Sequence, residues 1–130
     1  MNHKLVWVLC GLMLLFFMGL VGCVAKAPVP VKTWQKVTEF TGDSSEESES
    51  FKIDAGVTQW RVDYSTKLGD TSDLNFSANV IDKNNSYAGL IADVSGANSN
   101  TTYIKGAKAG TYTIEIITNQ SYSIEVEELK

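Results

Sequence analysis

The stretch QWRVDY, residues 59–64, alternates polar and apolar side chains one by one. Trp60, Val62 and Tyr64 fall on one side of an extended chain, and the polar residues between them fall on the other. This period of two predicts a β-strand with one face in a hydrophobic core and the other in solvent. The same pattern, followed along the chain, predicts the class of the fold.

Seven further segments after residue 32 carry this alternation or a weaker form of it, and turn-forming residues separate them. No segment beyond the leader has the period of a helix. Eight short strands with one apolar face each are typical of two antiparallel sheets packed face to face, as in a jelly roll or an immunoglobulin-like sandwich. The predicted fold is therefore an all-β antiparallel β-sandwich after an N-terminal signal helix. The stronger strands cover 74–80, 90–94, 112–116 and 122–126, and the weaker ones cover 34–41, 50–53 and 102–105.

The first 22 residues differ from the rest of the chain in composition. Lys4 and the terminal amine give a positive start, an apolar run follows, and no charged residue occurs over 5–24. A run of about 20 residues suits either a cleaved signal peptide or a helix that stays in the bilayer. Because the positive end stays in the cytoplasm, both alternatives place the following domain on the extracytoplasmic side.

Leu20-Val21-Gly22-Cys23 ends the apolar run. This motif resembles the lipobox of prokaryotic membrane lipoproteins, in which Leu stands three places before a Cys and a small residue precedes the Cys. The resemblance implies that residues 1–22 are a lipoprotein signal peptide, cleaved between Gly22 and Cys23. It also implies that Cys23 carries a lipid with fatty acyl chains such as palmitate, which anchors the protein in the cell membrane or the outer membrane. The alternative is an uncleaved anchor helix with an incidental cysteine.

Residues 23–32 follow as the lipidated cysteine and a short stalk. Pro28 and Pro30 disfavour a helix here and favour an extended polyproline II conformation. Residues 33–130 are predicted to form the β-sandwich domain, presented away from the membrane by this stalk.

The chain after cleavage, 108 residues long, carries 10 basic and 15 acidic side chains, a net charge of −5. Because this charge repels phosphate backbones and no basic stripe occurs, the sequence argues against a nucleic-acid partner. Cys10 and Cys23 are the two cysteines, and His3 is the single histidine. The domain therefore lacks a histidine base, a histidine metal ligand and a catalytic thiol. We expect no enzyme activity, no cofactor and no metal site, and a hydrolase based on paired carboxylates is the disfavoured alternative.

Two segments carry a second resemblance. ESFKIDAGVTQWRVDYS, residues 49–65, contains a central Trp, and GAKAGTYTIEIITNQSYSIEVEE, residues 106–128, contains Gly110-Thr111-Tyr112. Together they resemble the ends of the β-sandwich modules called bacterial pre-peptidase C-terminal domains. That resemblance implies an accessory binding or stabilising role, because such modules accompany many different enzymes and surface proteins.

Two acidic segments have both a structural and a functional interpretation. The run GDSSEESES, residues 42–50, is predicted to be a solvated, mobile loop between two strands, and the alternative is a site for calcium or a cationic partner. The residues from Asp82 to Ser86, with Asp93 further on, space oxygen ligands as a calcium loop does. Tyr87 stands where such a loop needs glycine, so a hairpin turn at the Asn-Asn pair is favoured.

The aromatic residues also have two interpretations. Trp60 and Tyr64 lie on an alternating apolar face and are predicted to belong to the core. The alternative is that Trp34, Trp60 and the five tyrosines form an exposed platform for a sugar or peptide. Trp34 stands where the stalk meets the domain and could pack there or stay exposed. These observations predict a non-catalytic binding or accessory module that contacts a protein or glycan by its loops or a sheet edge. The alternative function is a structural component of the envelope or of a membrane complex.

Overall fold

The chain divides by its internal contacts into two compact units, Met1–Val31 and Lys32–Lys130. In the first unit the described residues, 25–31, are exposed and form neither helix nor strand. The predicted signal helix lies outside the described residues. The computed structural model describes residues 25–69, 73–106 and 108–130.

The second unit contains nine β-strands and no helix within its described residues. All nine strands lie between residues 34 and 129, and buried and exposed side chains alternate along most of them. In chain order the strands are β1 Trp34–Gly42, β2 Glu46–Glu47, β3 Phe51–Ile53, β4 Trp60–Thr66, β5 Phe76–Asp82, β6 Tyr87–Val94, β7 Asn98–Tyr103, β8 Gly110–Thr118 and β9 Tyr122–Leu129.

The strands form two antiparallel sheets. The four-stranded sheet has the order β1-β9-β4-β7, and the five-stranded sheet has the order β2-β8-β5-β6, with β3 also paired to β8. The pairing is nested, because β1 pairs with β9, β2 and β3 with β8, β4 with β7, and β5 with β6. The predicted all-β antiparallel β-sandwich is confirmed, and of its two forms the nested strand order is that of the jelly roll.

One hydrophobic core fills the sandwich. Trp60, Val62 and Tyr64 are buried in it, which confirms the prediction for this strand. The ring of Phe51 meets the ring of Trp60 edge-on, with the ring centroids 5.9 Å apart. The ring centroid of Tyr112 lies 5.3 Å from that of Trp60. Within the described residues the Trp60 indole N–H has no hydrogen-bond acceptor, so its packing must offset a desolvation cost.

The acidic run at 42–50 joins β1 to β3 and is mostly exposed, as predicted, but it docks against β8 through β2, where the prediction was a mobile loop. Ser45 Oγ accepts the N–H of Thr118 at 2.8 Å and donates to the Thr118 carbonyl at 3.1 Å. Ser48 Oγ accepts the N–H of Ile114 at 2.8 Å. The docking was not predicted because serine side chains here satisfy the backbone groups of a strand edge, a role that composition does not reveal.

β6 and β7 differ from their predicted bounds. β6 begins at Tyr87 rather than at residue 90, and two register shifts in its pairing with β5 interrupt the alternation. Ile91 and Ala92 are therefore both buried while Leu90 is 48% exposed, against the prediction that Leu90 faces the core. β7 begins at Asn98 rather than at residue 102, because its polar residues pair with β4 at the sheet edge, where no apolar alternation is needed.

The connection from β5 to β6 is a hairpin turn, as predicted. Asp82 Oδ1 accepts the backbone N–H groups of Asn84 and Ser86 at 2.8 and 2.9 Å, and Asn85 adopts the left-handed φ of 60°. Asp93 lies at the far end of β6, five residues along β5 from Asp82, which is about 16 Å in an extended strand. The two carboxylates are therefore too far apart to act together in one calcium loop.

Candidate functional site

The site residues predicted from the lipobox, Gly22 and Cys23, lie outside the described residues. Within 25–69, 73–106 and 108–130, no helix is long and apolar enough to cross a membrane. The lipid attachment stays a prediction from the sequence.

The aromatic side chains divide into a buried group and an exposed group. Tyr103 on β7 is 47% exposed, Tyr87 on β6 is 66% exposed, and Trp34 on β1 is half-buried. The aromatic side chains that a ligand could contact are therefore not the ones that produce the alternating apolar pattern of the strands. The buried group belongs to the core and consists of Phe51, Trp60, Tyr64, Phe76, Tyr112 and Tyr122.

Trp34, Arg61 and Tyr103 form a cluster on the outer face of the four-stranded sheet, which we call the Trp34 platform. The ring centroids of Trp34 and Tyr103 are 5.9 Å apart, and the rings are inclined by 59°. The guanidinium carbon of Arg61 lies 4.3 Å from the Trp34 ring centroid, which is within cation–π distance. The three residues come from β1, β4 and β7, so the pairing of the whole sheet brings them together.

Glu127 fixes the position of the Arg61 side chain within the Trp34 platform. Arg61 Nε donates to Glu127 Oε2 at 2.6 Å, and the two residues stand opposite each other on β4 and β9. The hydrogen bond to Glu127 raises the pKa of the Arg61 guanidinium above its ordinary value. A second carboxylate, that of Asp63, lies 3.9 Å from Arg61 Nε. The planar guanidinium is thus oriented before any ligand arrives.

Carboxylates border the platform on the same face. Asp63, Glu125 and Glu127 each place a carboxylate oxygen within 4.8 Å of the others. Lys36 Nζ pairs with Glu125 at 3.0 Å, and the Thr101 hydroxyl donates to Asp63. Because Glu127 is already the partner of the guanidinium, each carboxylate has a partner within the protein. The group is a charge network that supports the platform, and a metal ion would have to displace these partners.

The arrangement offers the kinds of contact that a bound ligand needs. Exposed rings offer apolar surface to a ligand, and the adjacent charged groups and hydroxyls offer directional hydrogen bonds.

Of the three platform residues, the sequence pointed to Trp34, included Tyr103 only as one of the five tyrosines, and gave no sign of Arg61. Arg61 lies on the polar side of β4, where a charged residue is ordinary. Tyr103 ends β7, whose predicted start is four residues too late. The signal that could have found the site is the single aromatic residue in the otherwise polar strand NSNTTY.

No known protein family and no curated protein matches this chain. The chain is similar in fold to the SPBc2 prophage-derived protein YomS, known from a crystal structure, with a TM-score of 0.51. The similarity covers 81% of this chain and 98% of that chain, with 14% of residues identical, and therefore concerns the fold alone. The fold and the platform define a jelly-roll domain with an aromatic, charged outer face.

Proposed function

We propose that this protein is a membrane-anchored extracytoplasmic lipoprotein whose β-sandwich is a non-catalytic binding module. The lipid on Cys23 holds the protein at the cell membrane or the outer membrane, and residues 23–32 act as the stalk. The lipobox and the leader support the anchor. The Trp34 platform supports the binding role.

The observation that carries the binding role is the exposed ring of Tyr103 and the half-buried ring of Trp34 beside a fixed guanidinium. Trp34 and Tyr103 lie on the outer face of the sheet, where their rings serve no part of the core. Covering apolar surface releases about 25 cal/mol per Å². A glycan or an extended peptide suits the platform, because both combine apolar surface with closely spaced hydrogen-bonding groups. The ligand surface proposed is thus a sheet face, not the loops or the sheet edge expected from the sequence.

Tryptophan fluorescence tests this role in a fragment of residues 25–130. Its two tryptophans are Trp34 and Trp60, and Trp60 is 1% exposed, so quenching by acrylamide reports mainly on Trp34. Cell-wall glycan fragments and an array of extended peptides are the probes. A ligand of the platform should protect Trp34 from acrylamide and should bind at least about tenfold more weakly to Tyr103→Ala.

Tyr87→Ala is the matched control for this experiment. Tyr87 is 66% exposed and lies on the five-stranded sheet, away from the platform. The substitution should leave the affinity unchanged. An equal loss of affinity in Tyr87→Ala and Tyr103→Ala would contradict a binding site at the platform, as would full access of acrylamide to Trp34 in the complex.

Intact-mass measurement of the membrane-extracted protein tests the anchor. The native protein should begin at Cys23 and carry a diacylglycerol, and Cys23→Ser should stay unmodified. An unmodified full-length mass for the native protein would contradict the lipid anchor and would leave the binding role to be judged by the fluorescence experiment.

A structural component of the envelope or of a membrane complex is the second candidate function. Exposed Tyr87, Leu90 and Ile117 on the outer face of the five-stranded sheet favour it, because exposed apolar residues often mark protein contacts. Under this alternative, deleting the gene destabilises a membrane complex, while the isolated domain binds neither glycan nor peptide.

A further inference from the structure

The two ends of the sandwich carry opposite charge. We call the end at which β1 begins and β9 ends the base, and it also holds the connections at 54–59, 83–86 and 104–109. Among the described residues, the base has six lysines and three carboxylates, whereas the opposite end has one lysine, Lys67, and four carboxylates. The base residues are Lys32, Lys52, Lys83, Lys105, Lys108 and Lys130 with Asp54, Asp82 and Glu128, and the opposite carboxylates are Asp43, Glu46, Asp73 and Asp93.

Three of the base lysines line one cleft. The cleft lies between the β5–β6 turn and the described residues 105–106 and 108–109, and it has a volume of about 500 Å³, which is in the range of small-molecule sites. It is therefore large enough for a phosphate group and the atoms that carry it. Its charged and aromatic lining residues are Asp82, Lys83, Tyr87, Lys105, Lys108 and Tyr112.

Hydrogen bonds hold the backbone that carries two of these lysines. The N–H of Lys83 donates to the carbonyl of Thr111 at 3.2 Å, and Tyr112 Oη donates to the carbonyl of Lys108 at 2.5 Å. Asp82, the one acidic residue of the cleft, uses its Oδ1 to accept two backbone N–H groups of the turn. Lys83 and Lys108 are thus presented from anchored backbone, one on each side of the cleft.

Within the described part of the chain, none of the three cleft lysines forms an ion pair. Other cations of the domain do, since Lys36 pairs with Glu125 and Lys130 pairs with Asp54. Unpaired ammonium groups around one cleft create a positive local potential, although residues 25–130 carry a net charge of −5. The ligand that fits such a cleft is a phosphate, which lysine binds as a point charge.

The chain enters the sandwich at the same end. The N–H of Thr33 donates to the carbonyl of Lys130 at 2.5 Å, and the N–H of Lys130 donates to the carbonyl of Thr33 at 3.0 Å. In the proposed lipoprotein, residues 23–32 would join the lipid to this end with a reach of about 30 Å. A lysine-lined end tethered so close to a bilayer meets lipid phosphates at high effective concentration.

We propose that the three-lysine cleft binds the phosphates of anionic phospholipid headgroups and seats the base of the sandwich on the membrane. The inference rests on the anchored topology of the proposed function and adds a second, reversible membrane contact to the covalent one. The acidic end then faces away from the bilayer. The outer faces of both sheets then extend away from the bilayer, and the Trp34 platform lies at their base end, next to the membrane contact.

Vesicle binding by a fragment of residues 25–130 tests the proposal. The fragment contains every strand and the whole core described above, so it folds without the leader. At low salt we expect it to bind phosphatidylcholine vesicles that contain about one-third phosphatidylglycerol, and not vesicles of phosphatidylcholine alone. Each single change of Lys83, Lys105 or Lys108 to Gln should weaken binding about fivefold, and the triple change about 100-fold.

Lys67→Gln is the matched control, because it removes the same charge at the opposite end. It should weaken binding by less than about twofold, since that end lies beyond most of the range of the membrane charge. Equal losses in Lys67→Gln and Lys105→Gln would overturn the proposal, because net charge and not the cleft would then govern binding. Binding of inorganic phosphate without binding to anionic vesicles would also overturn it and would assign the cleft to a soluble anion.

Two further measurements separate failure of the proposal from misfolding of a variant and from absence of the lipid anchor. An unchanged thermal unfolding temperature shows that a variant is folded. If the triple variant does not fold, the three single variants decide the test. The fragment carries no lipid, so failure of vesicle binding leaves the anchor on Cys23 standing. Absence of the lipid from native protein, measured by intact mass, leaves the vesicle result standing.

Discussion

At the scale of single residues, Tyr122 connects the core to the edge strand β2. Its ring packs 5.7 Å from that of Phe76, and its hydroxyl donates to Glu46 Oε1. Gly42 pairs with Tyr122, and a Cβ at this position would lie 2.5 Å from Tyr122 Oη, so the close approach requires glycine. Burial, together with the bond to the Glu46 carboxylate, raises the pKa of the Tyr122 phenol above its usual 10.0.

Titration of the phenols tests this contact. Because the pKa of Tyr122 is raised in the folded state, its contribution to stability is complete below pH 10.0 and is lost as the pH rises through the folded value. The difference in ultraviolet absorbance between native protein and Tyr122→Phe should show no phenolate forming near pH 10.0 when both are folded. In denaturant the same difference should show one tyrosine titrating at its ordinary pKa. If Tyr122 of the folded protein ionised at the ordinary pKa of tyrosine, the result would contradict the contact with Glu46.

At the scale of elements, β8 is paired along its length by two short strands and the segment between them. β3 pairs with the start of β8 and β2 pairs further along it. Between them the N–H of Ser48 donates to the carbonyl of Ile114 at 2.9 Å, and Ser48 Oγ accepts the N–H of Ile114 at 2.8 Å. One serine therefore satisfies both backbone groups of a β8 residue where the regular ladder is interrupted.

Ser48→Ala tests the role of this segment. The change removes the acceptor of a buried strand N–H and should lower the free energy of unfolding by about 1–3 kcal/mol. Amide hydrogen exchange at Ile114 should become faster as well. Ser50→Ala is the control, since Ser50 is exposed and should change stability by less than about 0.5 kcal/mol. Equal unfolding free energies for Ser48→Ala and native protein, measured in urea, would contradict the assignment.

At the scale of the whole molecule, a charge network closes the base where the two ends of the domain meet. The Lys130 ammonium pairs with Asp54 at 2.5 Å and also with Glu128. Glu128 is 4% exposed and accepts the backbone N–H of Asp54 at 3.0 Å. The buried carboxylate thus has a cation and a backbone donor, which a buried charge requires.

The stability of the domain should depend on pH through this network. The hydrogen bond and charge of Lys130 lower the pKa of Asp54 below its ordinary 3.8. A lowered folded pKa means that the contribution is present above the unfolded pKa and is lost as the pH falls through the folded value. In urea unfolding at a series of pH values, native protein should lose stability more steeply below about pH 3.8 than Asp54→Asn does, and the two should converge at lower pH.

Asp93→Asn provides the control for this pH series. Asp93 is exposed at the end of the sandwich opposite the base, and among the described residues it takes part in no ion pair. This variant should follow the pH dependence of the native protein. Parallel curves for native protein and Asp54→Asn would contradict a role of the Asp54–Lys130 pair.

The strands that could be predicted are those whose pattern is local. The alternation from Trp60 to Tyr64 fixes which side of β4 is buried, because neighbouring side chains of a strand point in opposite directions. The Asn-Asn turn could be predicted for the same reason, since Asp82 bonds to backbone only two and four residues away. β7 and the docking of β2 could not, because their polar residues are held by pairing with distant strands.

By itself the sequence determined the sandwich class, the buried face of most strands and the leader that predicts the lipid anchor. Tertiary structure alone decided the strand order, and through it the Trp34 platform and the three-lysine cleft. Arg61 meets Glu127 across 66 positions of sequence, and Trp34 meets Tyr103 across the full width of a sheet. The physical reason is that burial patterns depend on adjacent residues, whereas surface sites depend on which strands pair and in which register.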